Sequence, residues 1–266
     1  MSQAHLGTAL ITGASSGIGA IYADRLARRG YDLILVARNR QRLNELATRI
    51  TRDTQRAVEV IEADLGDHEA LARVEAKLKE DASITLLVNN AGVGTHTPLL
   101  DSDVQEMARM IDLNVTALTR LTYAAAPGFV ARGAGAIINI SSIVSIAPEI
   151  LNGVYGGSKA FVTAFSLSLH HELASKGIRV QAVLPGATAT DFWATGGLPL
   201  EHLDPGIVMS ADDLVDAALI DFDRGELISL PALQDFEQWK TFEAQRRALS
   251  SQLSTNQPAP RYRANA

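Results

Sequence analysis

The sequence predicts an α/β protein: a parallel sheet wound on both faces by helices. Three observations carry this. Short apolar runs recur at 8–11, 31–37, 57–61, 84–88, 136–140 and 178–184. Segments with helical apolar spacing separate them, as the crossovers between parallel strands require. A glycine-rich turn, T-G-A-S-S-G-I-G at 12–19, directly follows the first run.

The first run, T-A-L-I, reads as a buried strand. The segment after the turn has helical spacing, and Gly30 ends it as a C-terminal cap. A strand, a glycine turn and a helix form a phosphate cradle. Glycines let the backbone approach a pyrophosphate, and the helix start offers unpaired N–H groups and a positive dipole end. The glycines are Gly13, Gly17 and Gly19, spaced G-x-x-x-G-x-G. In a dinucleotide-binding fold, the end of the second strand faces the adenosine ribose. A carboxylate there accepts the 2′-hydroxyl of NAD, and a cation suits the 2′-phosphate of NADP. The chain reads Ala37, Arg38, Asn39, Arg40, without a carboxylate. Arg38 is placed to pair with a phosphate, so NADP(H) is the preferred cofactor, with NAD possible.

A helix at 41–51 puts Leu43, Leu46 and Ile50 on one face. After the third strand, Asp64 reads equally as a contact to an adenine amino group or as a turn aspartate. A helix at 68–79 leads to the fourth strand. Later come a helix at 210–223 with a serine cap, an edge strand at 227–230, and an amphipathic helix at about 233–250. In the last, Phe236, Trp239 and Phe242 are three apart. This stripe suits packing on the sheet domain or on another subunit better than lining a substrate pocket. One domain is expected over 1–254, then a flexible tail at 255–266.

Composition bounds the function. The chain has 266 residues, 47% hydrophobic and 20% charged, with a formal net charge of -6. That gives no electrostatic footprint for nucleic acid. The absence of cysteine excludes disulfides, thiolate metal sites and a cysteine nucleophile, and suits a reducing compartment. No secretory signal and no apolar run long enough for a membrane span are present, so a cytoplasmic protein is expected. His170 and His171 are adjacent, which is not the i, i+4 spacing of a helical metal pair. No metal site is predicted. His5, His68 and His202 receive no role; His96 could rim a pocket.

The chemistry is placed at 142–159, S-I-V-S-I-A-P-E-I-L-N-G-V-Y-G-G-S-K. If Tyr155 opens a helix, Lys159 lies one turn on and on the same face. A free phenol ionises near pH ~10, and a neighbouring positive charge lowers that value. Such a tyrosine serves as general acid or base near neutral pH.

With N-N-A-G at 89–92 added, four motifs stand in one order. They are T-G-A-S-S-G-I-G, N-N-A-G, Ser142, and Tyr155 with Lys159. Over roughly residues 5–190 the chain resembles the short-chain dehydrogenase/reductase family. The resemblance implies a single-domain Rossmann-like fold and NAD(P)-dependent hydride transfer between a carbonyl and an alcohol. It implies that Gly13, Ser15, Ser16, Gly17, Ile18 and Gly19 line the cofactor's phosphates and adenosine. Asp64 and Leu65 would meet the adenine. Asn90, Ala91 and Gly92 would support the adenosine side and the central sheet. Asn114, in I-D-L-N-V, looks like the family's helix-kink asparagine that positions a water in a proton relay. Ser142 has the family's spacing to Tyr155, and Ser141 does not. Lys159 would also hold the nicotinamide ribose. Pro185 and Gly186 would turn beside the nicotinamide, with Thr188 against its carboxamide and Thr190 against the phosphates. Y-G-G-S-K departs from the family's usual alanine before the Ser-Lys pair. Gly156 and Gly157 are poor helix formers that could leave room beside a cofactor.

The segment at about 190–210, rich in Gly, Pro and aromatics, reads as a mobile lid with Phe192, Trp193 and Leu198 as apolar lining. The expected partner is a small carbonyl or alcohol, with no nucleic acid or membrane. The family suggests a homodimer or homotetramer. Two other functions stay open: a 3-oxoacyl-thioester reductase of lipid metabolism, and a non-catalytic NADPH-binding regulator.

Overall fold

The structure is a computed structural model that describes residues 6–262. His5 and the end of the expected tail lie outside the described residues. Packing divides the chain into a large unit, Met1–Ala232, and a short one, Leu233–Ala266.

The large unit begins β1 (Thr8–Thr12), α1 (Gly17–Arg28), β2 (Asp32–Ala37), α2 (Arg40–Thr54), β3 (Val58–Glu62), α3 (His68–Glu80) and β4 (Ile84–Asn89). It continues α4 (Val104–Ile111), α5 (Leu118–Arg132), β5 (Gly135–Ile140), α6 (Gly153–Leu173) and β6 (Ile178–Val183). It ends with β7 (Thr188–Ala189), α7 (Phe192–Thr195), β8 (Met209–Ser210), α8 (Ala211–Arg224) and β9 (Ile228–Ser229). Seven strands form one sheet in the order β3-β2-β1-β4-β5-β6-β9, and every pairing is parallel. The sheet order reverses between β1 and β4, and ligands bind α/β sheets in the crevice at that point.

Strand alternation sorts side chains into two layers. Ala9 and Ile11 of β1 join Leu26 of α1 and Leu214, Leu219 and Phe222 of α8. Leu10 faces the other way, with Val74 of α3, Phe129 of α5 and Leu173 of α6. All five β1 residues are therefore buried. Covering both faces is why the inner strands read as continuous apolar runs. β3 at the edge is only half-buried.

Helix ends follow their caps. Asn39 accepts from the Arg42 backbone N–H and starts α2 one residue before the expected position. α2 runs on to Thr54 and ends at Gln55 with φ 61, the left-handed exit. Gly30 follows α1 at φ 105, as its predicted cap role requires. A π-helical segment, Asp112–Ala117, joins α4 to α5 at the expected kink around Asn114.

One buried charge cluster was invisible in the sequence. Asp24 of α1 is 4% exposed. It accepts from Arg25 (3.0 Å), Arg28 (2.9 Å) and Arg49 of α2 (3.4 Å). Arg25 also reaches Asp212 and Asp216 of α8, both at 2.7 Å. Burial opposes the charge on Asp24, but the hydrogen bonds from Arg28 and Arg25 outweigh it and hold the carboxyl below its ordinary range. A depressed carboxyl adds stability above its unfolded pKa of ~3.9 and loses it as pH falls through the folded value. Asp24→Asn should cost about 1–2 kcal/mol, because the freed arginines stay partly solvated. It should also flatten the acid limb of stability against pH, read from urea midpoints.

The short unit holds α9 (Phe236–Leu249), capped by Asp235. The Trp239 and Phe242 rings lie 5.5 Å apart. Trp239 is buried and Phe242 exposed. Among the described residues no helix is long and apolar enough to cross a membrane.

Candidate active site

The glycine turn is shaped by close backbone approaches. A Cβ on Gly19 would sit 2.4 Å from the Gly13 carbonyl oxygen and 2.5 Å from Asn90 Nδ2. Asn90 Nδ2 donates to the carbonyls of Thr12 (2.9 Å) and Gly13 (3.1 Å). Thr12 Oγ1 accepts from the backbone N–H of Asn90 and of Ala91, both at 3.0 Å. The N-N-A-G element thus buttresses the turn. Gly17 has φ 52, and a Cβ there would meet Thr190 Cγ2 at 3.0 Å. Thr190 is thereby brought to the turn.

Ser16 caps α1 without a side-chain hydrogen bond, and the first turn holds no acidic residue. The N–H groups at this helix end keep their donors and positive potential for an anion, which fits a pyrophosphate. Arg38 is exposed at the end of β2. Arg40 pairs with Glu62 at 3.7 Å and Arg42 with Asp191 at 3.0 Å. Among the described residues Arg38 has no carboxylate partner, so its charge faces outward. Asp64 is exposed, and its Oδ1 accepts from the Gly66 backbone N–H at 3.0 Å. The Leu65 side chain is buried in the core.

Asn152 positions Tyr155. Its Oδ1 accepts from Val154 N (2.8 Å) and Tyr155 N (3.3 Å), capping α6, and its Nδ2 donates to the Thr97 carbonyl at 2.7 Å. Tyr155 and Lys159 are 5% and 6% exposed. Lys159 Nζ lies 5.9 Å from the Tyr155 ring centroid and donates to the Ile140 carbonyl at 2.9 Å. The two serines now separate. Ser141 Oγ turns inward to the Lys159 carbonyl (2.8 Å) and Thr163 (2.7 Å). Ser142 is hydrogen-bonded to the Tyr155 phenol.

The expected acidification of the phenol by Lys159 does not occur in this geometry. Burial pushes Tyr155 up to about 12, and the Ser142 hydrogen bond only partly offsets it. Burial also pulls Lys159 down to about 8. Both groups are desolvated, and each is penalised in its charged form. A difference titration of phenolate absorbance, wild type minus Tyr155→Phe, should show no Tyr155 phenolate below pH ~10 in the ligand-free protein.

Asn114 lies in the π-helical segment and is buried. Its Nδ2 donates to the Val93 carbonyl (2.8 Å) and Ser158 Oγ (3.1 Å), and its Oδ1 accepts from Val93 N (2.9 Å). The side chain pins the segment after Gly92. A Cβ on Gly92 would lie 3.1 Å from Asn114 Oδ1 and 3.4 Å from Lys159 Nζ. Gly92, Asn114 and Lys159 therefore converge.

Gly156 leaves room for Pro148, which a Cβ would meet at 3.2 Å, and not for a cofactor. Gly157 faces open space. Gly157→Ala should therefore raise stability by about 0.5–1 kcal/mol, seen as a higher Tm.

Beyond β6, the Pro185 carbonyl accepts from Ile143 N at 3.0 Å, joining the Pro185-Gly186 turn to the Ser142 segment. Thr188 Oγ1 donates to the Gly186 carbonyl at 3.1 Å, so in this conformation the hydroxyl serves the turn. The predicted lid segment leaves and returns through the parallel β7–β8 pair. Phe192 lies 5.7 Å from Tyr155, ring centre to ring centre. Met107, Met110, Val144, Val93, Leu151 and Val154 pack around this pair as an apolar wall.

A family model described as short chain dehydrogenase matches residues 7–197. The chain belongs to the short-chain dehydrogenase family. This dehydrogenase is similar in structure to a short-chain dehydrogenase from Sphingobium yanoikuyae in complex with NADPH. That pair shares 49% identity and a TM-score of 0.94, over 97% of this chain and 100% of the other. It is also similar to a bulky-bulky ketone specific alcohol dehydrogenase from Comamonas testosteroni, with 46% identity and a TM-score of 0.90 over 98% and 100% of the two chains. A very-long-chain 3-oxoacyl-CoA reductase of Anas platyrhynchos is 40% identical over 187 residues, 68% of this chain. The match spans 60% of that relative's length.

Two residues of this dehydrogenase's site, Thr12 and Asn152, had no role assigned from the sequence, and His96 had only a place at a pocket rim. Thr12 stands inside the glycine motif, and only the fold shows its hydroxyl under Asn90. Asn152 carries a readable signal, an asparagine directly before a helix start. His96 reaches the Gly196 carbonyl at 2.9 Å.

Proposed function

We propose that this protein is an NADPH-dependent carbonyl reductase, running in reverse as an alcohol dehydrogenase, for ketones with apolar substituents. The Tyr155 phenol carries the reading: it is buried, hydrogen-bonded to Ser142 and one helical turn from Lys159. The NADPH-bound and ketone-specific relatives support it.

The reduced nicotinamide supplies the hydride when bound. The uncapped start of α1, with Gly13, Gly17 and Gly19, would hold the pyrophosphate, and Arg38 the 2′-phosphate. Tyr155 donates its proton to the substrate oxygen. Its raised pKa keeps the phenol fully protonated at neutral pH, which suits a general acid in the direction of reduction. Ser142 donates a second hydrogen bond to the same oxygen and stabilises the charge that develops there. Lys159 would hold the nicotinamide ribose, and its neighbours Asn114 and Ser158 keep that part of the site rigid. The apolar wall excludes water and accepts the carbon substituents.

The 190–210 segment serves as the lid of one catalytic domain. A cytoplasmic location fits the absence of cysteine, and exposed Tyr123 of α5 and Phe161 of α6 support assembly into a homodimer or homotetramer. The test is NADPH oxidation with a panel of aryl and dialkyl ketones, aldehydes and a 3-oxoacyl thioester. Turnover of bulky ketones is expected. Preference for the thioester would favour the lipid-metabolism reading, and NADPH binding without turnover of any member would favour a regulator.

A further inference from the structure

The proposed lid is held shut at one point by close backbone contact. A Cβ on Gly196 would lie 2.9 Å from the Gly94 carbonyl oxygen. A Cβ on Gly94 would strike Phe192 Cζ at 2.4 Å and approach Tyr155 Cε2 at 3.0 Å. The missing side chain at Gly94 is the notch into which Phe192 fits, over the Tyr155 ring. His96 stands beside this notch. Its Nδ1 lies 2.9 Å from the Gly196 carbonyl oxygen, which can only accept, so Nδ1 carries the hydrogen. Gly197, at φ 84, packs its Cα side against the same imidazole, 3.1 Å from a would-be Cβ to Cε1.

The stems of the segment are fixed by β7 pairing with β8. Between them, apart from the Trp193 bond to the stem at Thr188, two polar contacts tie it to the rest of the large unit among the described residues. One is the exposed Arg42–Asp191 ion pair at 3.0 Å. Such pairs contribute little in water. The other is the His96 bond. Closure therefore rests on Phe192 in its notch and on His96.

We propose that His96 is a positioning residue that latches the lid, and that substrate reaches Tyr155 only when Phe192 leaves the Gly94 notch. The proposal rests on the carbonyl-reductase reading for its kinetic arm but not for its optical one. Trp193 is the reporter. It adjoins Phe192, with ring centroids 5.8 Å apart, and its Nε1 donates to the Thr188 carbonyl at 2.9 Å. The chain has two tryptophans, so Trp239→Phe leaves Trp193 alone.

In that background, acrylamide quenching of Trp193 is measured in the full-length protein with His96, His96→Ala and His96→Asn. His96→Ala should raise quenching, and His96→Asn, which keeps a donor, should restore it. With a working ketone, His96→Ala should lower KM about 3–10-fold, because the closed state that excludes substrate loses the worth of one such hydrogen bond, with kcat little changed. Unchanged circular dichroism guards against misfolding. Quenching and KM that both match wild type in His96→Ala would overturn the proposal, as would a variant in which asparagine behaves like alanine. Quenching needs no turnover, so failure of the reductase reading would show in the ketone panel and leave this result standing.

Discussion

Tyr155→Phe is expected to lower kcat by ~10²–10⁴-fold, the usual worth of a positioned general acid. The fold should survive. The lost hydroxyl has Ser142 as its partner, and Ser142 Oγ still accepts from Val144 N at 3.3 Å. The cost in stability should be about 1 kcal/mol. The ring keeps its place against Phe192 and the apolar wall. NADPH affinity should be near wild type, because the glycine turn and Arg38 are untouched. A fluorescence titration with NADPH beside steady-state kinetics reads both quantities. A variant that binds NADPH and turns over at the wild-type rate would remove Tyr155 from the chemistry.

Arg38→Ala should raise KM for NADPH by ~10–100-fold, the worth of about 1.5–3 kcal/mol for a hydrogen bond to a charged group. KM for NADH should change little, since that cofactor lacks the phosphate. The other two arginines near the end of β2 already have partners, Glu62 for Arg40 and Asp191 for Arg42. Arg38 is left to meet the added charge, and a shorter aliphatic side chain cannot replace its fork of donors. Raising the salt concentration should weaken NADPH binding by the wild type more than by Arg38→Ala. Equal loss of both cofactors would mean that Arg38 supports the turn instead of reading the phosphate.

The sheet was legible because its strands are apolar on both faces and their spacing is local. The tyrosine, the lysine and the glycine turn were legible for the same reason: each lies on one helix or one turn. What the sequence hid depends on contacts between distant segments. The direction of Lys159 Nζ is set by the Ile140 carbonyl, at the end of another strand. The raised phenol of Tyr155 follows from burial under Phe192 and the methionines of α4, which no spacing rule reveals. Asp24 draws on an arginine in the next helix, and His96 meets a carbonyl one hundred residues away. The two-residue pair β7–β8 is too short for any periodicity to show.

The most direct measurement is a rapid-mixing single turnover. Enzyme loaded with NADPH is mixed with a bulky aryl ketone, and the loss of reduced-nicotinamide absorbance is followed in H₂O and in D₂O. The account predicts a decay that slows in D₂O for the wild type, since the Tyr155 proton moves as the hydride arrives, and no decay on that timescale for Tyr155→Phe. Decays of equal rate in the two proteins would contradict it.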